Sequence, residues 1–493
     1  MLRTHAIPAT PHDPLARIEE RIARFVERHQ PRFAALADEI WSYAEIGYAE
    51  HRSSAAQRDV LRDFGFRVEG KLAGMPTAFV GERIIGGGGD TTIAFLGELD
   101  ALPGLDQAAG EAQRSGDSRR NGHACGHHLL GSGALLAAVA AADCLAEQGI
   151  AARVRYYGCP AEENGIGKSF LARAGHFDDV SVALTWHPGA TTGIMTGPIL
   201  ANIQAYFRFT GRAAHAAAAP HLGRSALDAV ELMNVGVNYL REHMPPDARV
   251  HYAITDSGGT APNVVQATAE VLYLVRSPSA AELKSLYERV CRIAEGAALM
   301  TETRVAVRID KATGPMLHNQ VLDQHLNGLV ARFGAPAFDA ADQALARQFQ
   351  AILSAEEIAA GKRKFQIAAD YAQPLDARVM PYLPFHPSVG GSSDVADVSW
   401  VVPTAQIWCP CFAIGTPGHS WQNTAQGKTA YAHKGMVHAA KLLAVAGVDL
   451  VAQTAVVAAA RHELETSRQH LGTPDLLPDD VVPPTVDRGD EAS

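Results

Sequence analysis

The stretch LLGSGALLAAVAAADCLAEQGIAARVRYYGCP, residues 129–160, decides the fold. Residues 129–147 are Ala- and Leu-rich and read as a helix, and residues 152–160 read as a strand. Working outward, TTIAFLGELDALPG (91–104) is a short apolar strand ending in a Pro/Gly turn. GKSFLARAGHF (167–177) is a further helix, and VSVALTWHP (180–188) a further strand. Strands alternating with helices predict an α/β unit, a mostly parallel sheet covered by helices on both faces. Ligands of such sheets sit beyond the carboxyl ends of the strands. ELDALP (98–103), AEEN (161–164) and WHP (186–188) all fall there.

The chain of 493 residues is too long for one compact core, so two domains are expected. Residues 16–45 read as a helix, with Ile18, Ile22, Phe25 and Val26 at helical spacing. Near residue 195 the rhythm changes. ANIQAYFRFTG (201–211), NVVQATAEVLYLVRS (263–277) and TRVAVRID (303–310) read as strands, with helices at 223–242 and near 281–298. This block reads as an inserted α+β domain on one open sheet. The α/β rhythm returns near 400 with TAQIWCPCFAIG (404–415) and a helix at 432–446. The expected division is therefore 16–195 and 313–470 for the α/β domain, 196–312 for the insertion, and a disordered Pro- and Asp-rich tail at 471–493. Residues 335–385 resist assignment beyond a helical excursion.

Hydrophobic content of 47% and charged content of 19% are ordinary for a globular protein. A net charge of −10 offers no basic stripe for nucleic acid. No stretch reaches the ~18 uninterrupted apolar residues of a membrane span, and no apolar h-region follows the start. Six cysteines make no disulfide framework, and reduced thiols in a cytoplasm are expected.

HACGHHLL (123–130) concentrates three histidines and one cysteine ahead of the Ala-rich helix. Cys125 and His127, separated by Gly126, can turn thiolate and imidazole onto one metal ion. Glu162 and Glu163 follow a strand, where adjacent side chains point to opposite sides; one can bind metal while the other serves as base. His187 ends an apolar strand, and His419 lies in the Gly/Pro-shaped loop GTPGHSWQ (415–422). Taken singly, each has an ordinary explanation: a buried histidine, a solvated acidic pair, a small apolar cysteine. Together they lie at the carboxyl-end loops of one sheet, which packing alone does not anticipate. Three imidazoles, a thiolate and a carboxylate exceed the three ligands of a mononuclear catalytic zinc and suit two divalent ions, Zn or Mn. Asp100 and Glu98 are carboxylates that can orient a histidine ligand.

Two glycine motifs are decoys. GIGKS (165–169) resembles the end of a phosphate loop, but the glycine required five positions before Gly167 is Glu162. GGGG (86–89) lacks the dinucleotide-binding spacing.

The chain resembles the dinuclear-metal aminoacylase and carboxypeptidase family, specifically its amidohydrolase branch with a Cys-containing loop, over roughly residues 30–465. YGCPAEENGIGKSFLARAGHFDDVSVALTWHP (157–188) and SSDVADVSW (392–400) carry the narrower likeness to one subgroup. The resemblance implies that Cys125 is a bridging ligand, that His127, Glu163, His187 and His419 complete two metal sites, and that Glu162 is the general base. It further implies a lid that dimerises, with His215 of GRAAHAAAAP stabilising the oxyanion, often in the partner's site. Asn263 and Arg276 match lid positions that hold a substrate carboxylate, a task suited to arginine's planar fork. The implied reaction is amide hydrolysis of an N-acyl amino acid, p-aminobenzoyl-glutamate being the best single choice. Dipeptides and N-acyl-aspartates are alternatives, as is an auxiliary role beside a paralogous polypeptide. The resemblance also implies a small-molecule substrate and a homodimer, without nucleic acid or membrane. One departure stands out: relatives carry Asp or Asn after the second histidine of the loop, and this chain has His128.

Overall fold

A computed structural model describes residues 13–386 and 391–484. Among these, one sheet contains β1 (Arg67–Gly70), β2 (Phe79–Ile85), β3 (Thr92–Glu98), β4 (Ala152–Cys159), β5 (Val182–Gly189), β6 (Gly193–Ile194) and, much later in the chain, β11 (Thr404–Pro410). A second sheet contains β7 (Ala201–Thr210), β8 (Arg249–Asp256), β9 (Thr268–Ser277) and β10 (Arg304–Thr313).

The first sheet runs β1-β2-β4-β3-β5-β11-β6. Its centre, β4-β3-β5-β11, is parallel, and antiparallel strands close both margins. Parallel strands need crossovers, which place helices on the faces. β3 is accordingly buried at every residue, with no alternation. The crossover from β3 to β4 is the helix His127–Gln148, which starts inside the HACGHHLL loop and is buried almost all round. It packs on the sheet beside the helix Ala430–Ala452, which also meets the sheet, and against the helix Pro14–Tyr43. Its alanines and glycines allow that close packing: Gly133 faces the Trp186 ring, and any Cβ there would meet it at 2.9 Å. Two helices, His127–Gln148 and Ala430–Ala452, are long and apolar enough to cross a membrane; 89% and 78% of their apolar windows are buried within the fold. They are core helices.

The second sheet, ordered β10-β7-β9-β8, is antiparallel throughout. β9 alternates cleanly: Ala269, Val271, Tyr273 and Val275 meet the helices Ala226–Leu240 and Ala280–Thr301, while Leu274 and Arg276 face the other way. β8 has no counterpart among the strands expected from sequence. It is an edge strand in which Val250 alone is fully buried, so it carries no legible alternation. A β-bulge between Ile309 and Lys311 interrupts the β10–β7 register.

The excursion at 335–385 contains the helices Ala340–Ala351 and Ala355–Lys364, each opened by a capping box, Asp339 with Asp342 and Ser354 with Glu357. The chain past residue 471 departs from the disorder expected of it. Arg173 donates to the carbonyls of Pro478 (3.2 Å) and Val481 (2.7 Å). Leu476, Leu477 and Val481 pack on apolar clusters of the body. These few apolar residues between prolines supply the burial that composition alone conceals. Residues 485–493, the rest of that expected tail, lie outside the described residues. All six cysteines are free.

Candidate active site

Loops at one edge of the seven-stranded sheet build the site. Glu98 ends β3, and Asp100 follows it. Gly126, at φ 82°, turns the chain into the helix that begins at His127; a Cβ there would meet Pro188 at 3.0 Å and Phe412 at 3.1 Å. Glu162 and Glu163 do not sit on the end of β4, as strand alternation would place them. Ala161 adopts a left-handed φ of 56°, and the glutamates follow in a turn. That conformation is held by the carboxylate of buried Glu50, which accepts from the Ala161 amide at 2.7 Å and from the Thr77 hydroxyl at 2.9 Å. His187 lies on β5, and His419 (φ 53°) in the loop after β11. A non-glycine residue in that region signals a locally imposed conformation.

The predicted ligands converge. Donor atoms of Cys125, His127 and His187 lie within 4.8 Å of one another, as do those of Cys125, Glu163 and His419. Cys125 is common to both groups. Its Sγ is 3.5 Å from His187 Nε2, and His419 Nε2 is 3.3 Å from Glu163 Oε2. A third group, Glu98, His127 and Glu162, adjoins them. Behind His127, Asp100 Oδ1 is 2.9 Å from Nδ1, which directs Nε2 at the cluster. Asp100 Oδ2 accepts from the Glu163 amide at 2.8 Å.

Metal fits this set on the structure's own terms. His127 Nε2, Glu163 Oε1 and Glu98 Oε2 are buried and have no hydrogen-bond partner among the described residues. Buried polar atoms are normally satisfied. Nε2 stands 3.0 Å from Glu98 Oε2 without the alignment of a hydrogen bond. Electrostatics agree. Burial, then Glu98 and Glu163, push Glu162 well above the carboxylate range, and burial pushes up Glu163 and, with Glu163's charge, the Cys125 thiol. Burial lowers His187 to about 4, while the charge of Glu98 raises His127 against its own burial. Crowding thus disfavours the charged forms of Glu162, Glu163 and Cys125, and divalent charge between them would favour those forms.

Other predicted residues divide. Arg276 lines the same cavity of about 1020 Å³ as Cys125, Glu162 and His187. His215 and Asn263 do not line it; they lie together on exposed loops of the inserted domain, where His215 bridges to Val264 and Ala216 donates to the Asn263 carbonyl. His123 and His128 are buried away from the cluster, on the carbonyls of Ile40 (3.1 Å) and Gly427 (3.0 Å). Burial lowers both, so they remain neutral. The extra histidine is a packing residue against Gly427, where any Cβ would meet its ring at 2.7 Å.

Sequence reasoning missed several neighbours. Lys168, from the rejected phosphate-loop decoy, is fully buried and pairs with Glu98 (2.7 Å) and Asp394 (2.6 Å). Its sequence signal is no more than a lysine at the start of an apolar helix; Asp394 lies 226 residues further along the chain. Trp408 meets His187 edge-on at 5.3 Å and Phe365 at 5.4 Å, and Lys364 lies above it. Lys311, on β10, reaches the Glu163 carbonyl at 3.2 Å.

Comparison with known proteins agrees with this geometry. Residues 201–299 match the peptidase dimerisation domain of the M20 family. The chain is 45% identical to one of the subunits of p-aminobenzoyl-glutamate hydrolase from Escherichia coli (strain K12), over 94% of this chain and 99% of that protein. It is 29% identical to the Xaa-Arg dipeptidase of Mus musculus, over 92% and 93%. In fold it is similar to the Bacillus subtilis YXEP protein, a dinuclear metal binding peptidase from the M20 family (TM-score 0.59, 16% identity, 87% of this chain and 99% of that one). Fold and relatives together define a metal-dependent hydrolase of amide bonds. The chain belongs to the M20 peptidase family, in its amidohydrolase branch.

Proposed function

We propose that this chain hydrolyses N-acyl amino acids with an aromatic acyl group and an acidic amino acid, p-aminobenzoyl-glutamate first among them. The observation that carries the reading is the pair of ligand groups sharing Cys125, set beside Glu162 in one cavity. Cys125, His127, Glu163, His187 and His419 would hold two divalent ions, zinc or manganese. When bound, such ions polarise an amide carbonyl and make water acidic enough to be deprotonated at neutral pH. Glu162 takes that proton and passes it to the departing amine. Trp408, Phe365 and Phe412 line the cavity and offer apolar faces to an aromatic acyl group. Arg276 takes the amino acid's carboxylate. The bacterial relative of 45% identity supports the substrate choice.

A dipeptidase acting before arginine, as the murine relative's name describes, fits less well. Arg276, Lys311, Arg363 and Lys364 all line the cavity and would repel a cationic product. We place the enzyme in the cytoplasm, where its six free thiols stay reduced, as a homodimer through the inserted domain. His215 and Asn263 would then complete the partner's site, and a paralogous polypeptide is the alternative partner. The test is hydrolysis by the purified chain alone, loaded with Mn²⁺ or Zn²⁺, of a panel comprising p-aminobenzoyl-glutamate, N-acyl-aspartates and Xaa-Arg dipeptides, with metal content measured in parallel. Cleavage confined to the dipeptides would overturn the substrate reading; no cleavage without a second polypeptide would make the chain auxiliary.

A further inference from the structure

One face of the inserted sheet forms a wall of the cavity. Asn202 and Gln204 on β7, Leu274 and Arg276 on β9, and Lys311 and Thr313 on β10 all line it. The register explains the grouping: Asn202 pairs with Arg276 and with Thr313, and Gln204 with Leu274 and with Lys311. Alternate residues of neighbouring strands share a face. Lys311 joins that face because of the bulge. Ile309 pairs with Ala205, whose side chain belongs to the core face, and Lys311 then pairs with Gln204, so one extra residue, Asp310, resets the side that Lys311 takes. Bulges beside functional sites commonly re-aim a side chain in this way.

Among the described residues neither Arg276 nor Lys311 forms an ion pair; Glu162 is the carboxylate whose charge reaches both. Lys311 is half-buried, and its one hydrogen bond among the described residues goes to the neutral carbonyl of Glu163, leaving the ammonium's other donors unused. Arg276 is half-buried with its Nε enclosed and unpartnered, and no carboxylate among the described residues lies within ion-pair distance of either group. Asp310, the nearest acid in sequence, is engaged by Gln204 at 2.7 Å. Two sheltered cations with no direct ion pair among the described residues, on one wall and two registers apart, suit a ligand that brings two negative charges.

Building on the substrate reading above, we infer that Lys311 is a specificity residue that binds the side-chain carboxylate of an acidic amino acid, while Arg276 holds its α-carboxylate. The leaving group is thereby restricted to dicarboxylic amino acids. The amide and hydroxyl neighbours Gln204, Asn202 and Thr313 brace this wall without charge: Asn202 donates to Thr313 at 2.6 Å. A ligand with an uncharged amide in place of the second carboxylate would leave the ammonium unpaired.

The experiment compares p-aminobenzoyl-L-glutamate with p-aminobenzoyl-L-glutamine on the metal-loaded enzyme, in wild type, Lys311→Met and Lys311→Arg. Wild type should favour the glutamate compound at least about 10-fold in kcat/KM, through KM. Lys311→Met should lose about 10- to 100-fold on the glutamate compound and under about 3-fold on the glutamine compound, and Lys311→Arg should restore most of the preference. A parallel calorimetric titration with free L-glutamate and L-glutamine reads the same preference without turnover, and also serves if Lys311→Met folds poorly, because wild type must itself discriminate. Equal losses on both compounds, or a wild type indifferent to the two ligands, overturns the inference. If nothing is hydrolysed while glutamate binding still depends on Lys311, the reaction proposed above fails and the carboxylate site stands.

Discussion

Asp100 holds two of the proposed metal ligands at once: Oδ1 faces His127 Nδ1 at 2.9 Å, and Oδ2 takes the Glu163 amide at 2.8 Å. It therefore fixes the ring of one ligand and the backbone of the other. Asp100→Ala should weaken metal binding about 10- to 100-fold, the usual cost of losing a carboxylate behind a ligating histidine. Competition with a chromogenic chelator measures it, and unchanged affinity would remove Asp100 from the site.

Glu162 belongs to the group nearest His127 but is proposed as base, not ligand. Glu162→Gln keeps the shape and removes the proton acceptor. Turnover should fall by at least about 10² to 10⁴, while metal stoichiometry by atomic absorption equals that of wild type. Loss of metal in this variant would reassign Glu162 as a ligand.

Lys168 pairs with both Glu98 and Asp394 in a fully buried triad. Lys168→Met leaves two buried carboxylates without their cation, which should cost about 3–5 kcal/mol in urea unfolding. Adding Asp394→Asn to that variant should recover part of the loss, since one stranded charge disappears. No recovery would mean that the lysine's packing, not its charge, matters.

Asp323, buried in the helix Gln320–Phe333, gives a pH signature remote from the metal cluster. Burial, then Glu463, push its carboxyl up to about 8. Its folded value thus exceeds its unfolded value near 3.9, so the fold prefers the protonated form. The associated stability is complete below about pH 4 and is lost progressively as pH rises toward 8. Asp323→Asn should flatten the dependence of the urea midpoint across that window. A parallel wild-type and variant profile would refute the assignment.

Much of this site can be read without coordinates, because its candidate ligands sit where short motifs meet the ends of apolar strands. His127 opens a helix just after Cys125, His187 lies near the end of β5, and Glu163 and His419 lie in loops after strands; the parallel topology brings those points together. What escapes are residues whose meaning is set by register or distance. Lys311 is one of several lysines until a bulge assigns its face. Lys168 looks like a phosphate-loop remnant because nothing local shows that Asp394, far along the chain, arrives beside it. The edge strand β8 escapes because an exposed strand has no burial to pattern it. The turn holding Glu162 and Glu163 depends on Glu50, a contact across more than a hundred residues.

The segment 473–484 has a mechanical meaning. Leu477 packs against the core of the inserted domain and also against the cluster beneath β3, β4 and the helix Gly167–Arg173, while Val481 is anchored to that second cluster. The two covalent connections between the domains, at 199–201 and 313–315, are thus joined by a third, non-covalent strap. Rotation about the two connections must stretch the strap or detach Leu477 from one side, exposing apolar surface worth about 1.5–3 kcal/mol for a whole leucine. The strap ties the inserted sheet, and with it Arg276 and Lys311, to the domain that carries Cys125, His127 and His187.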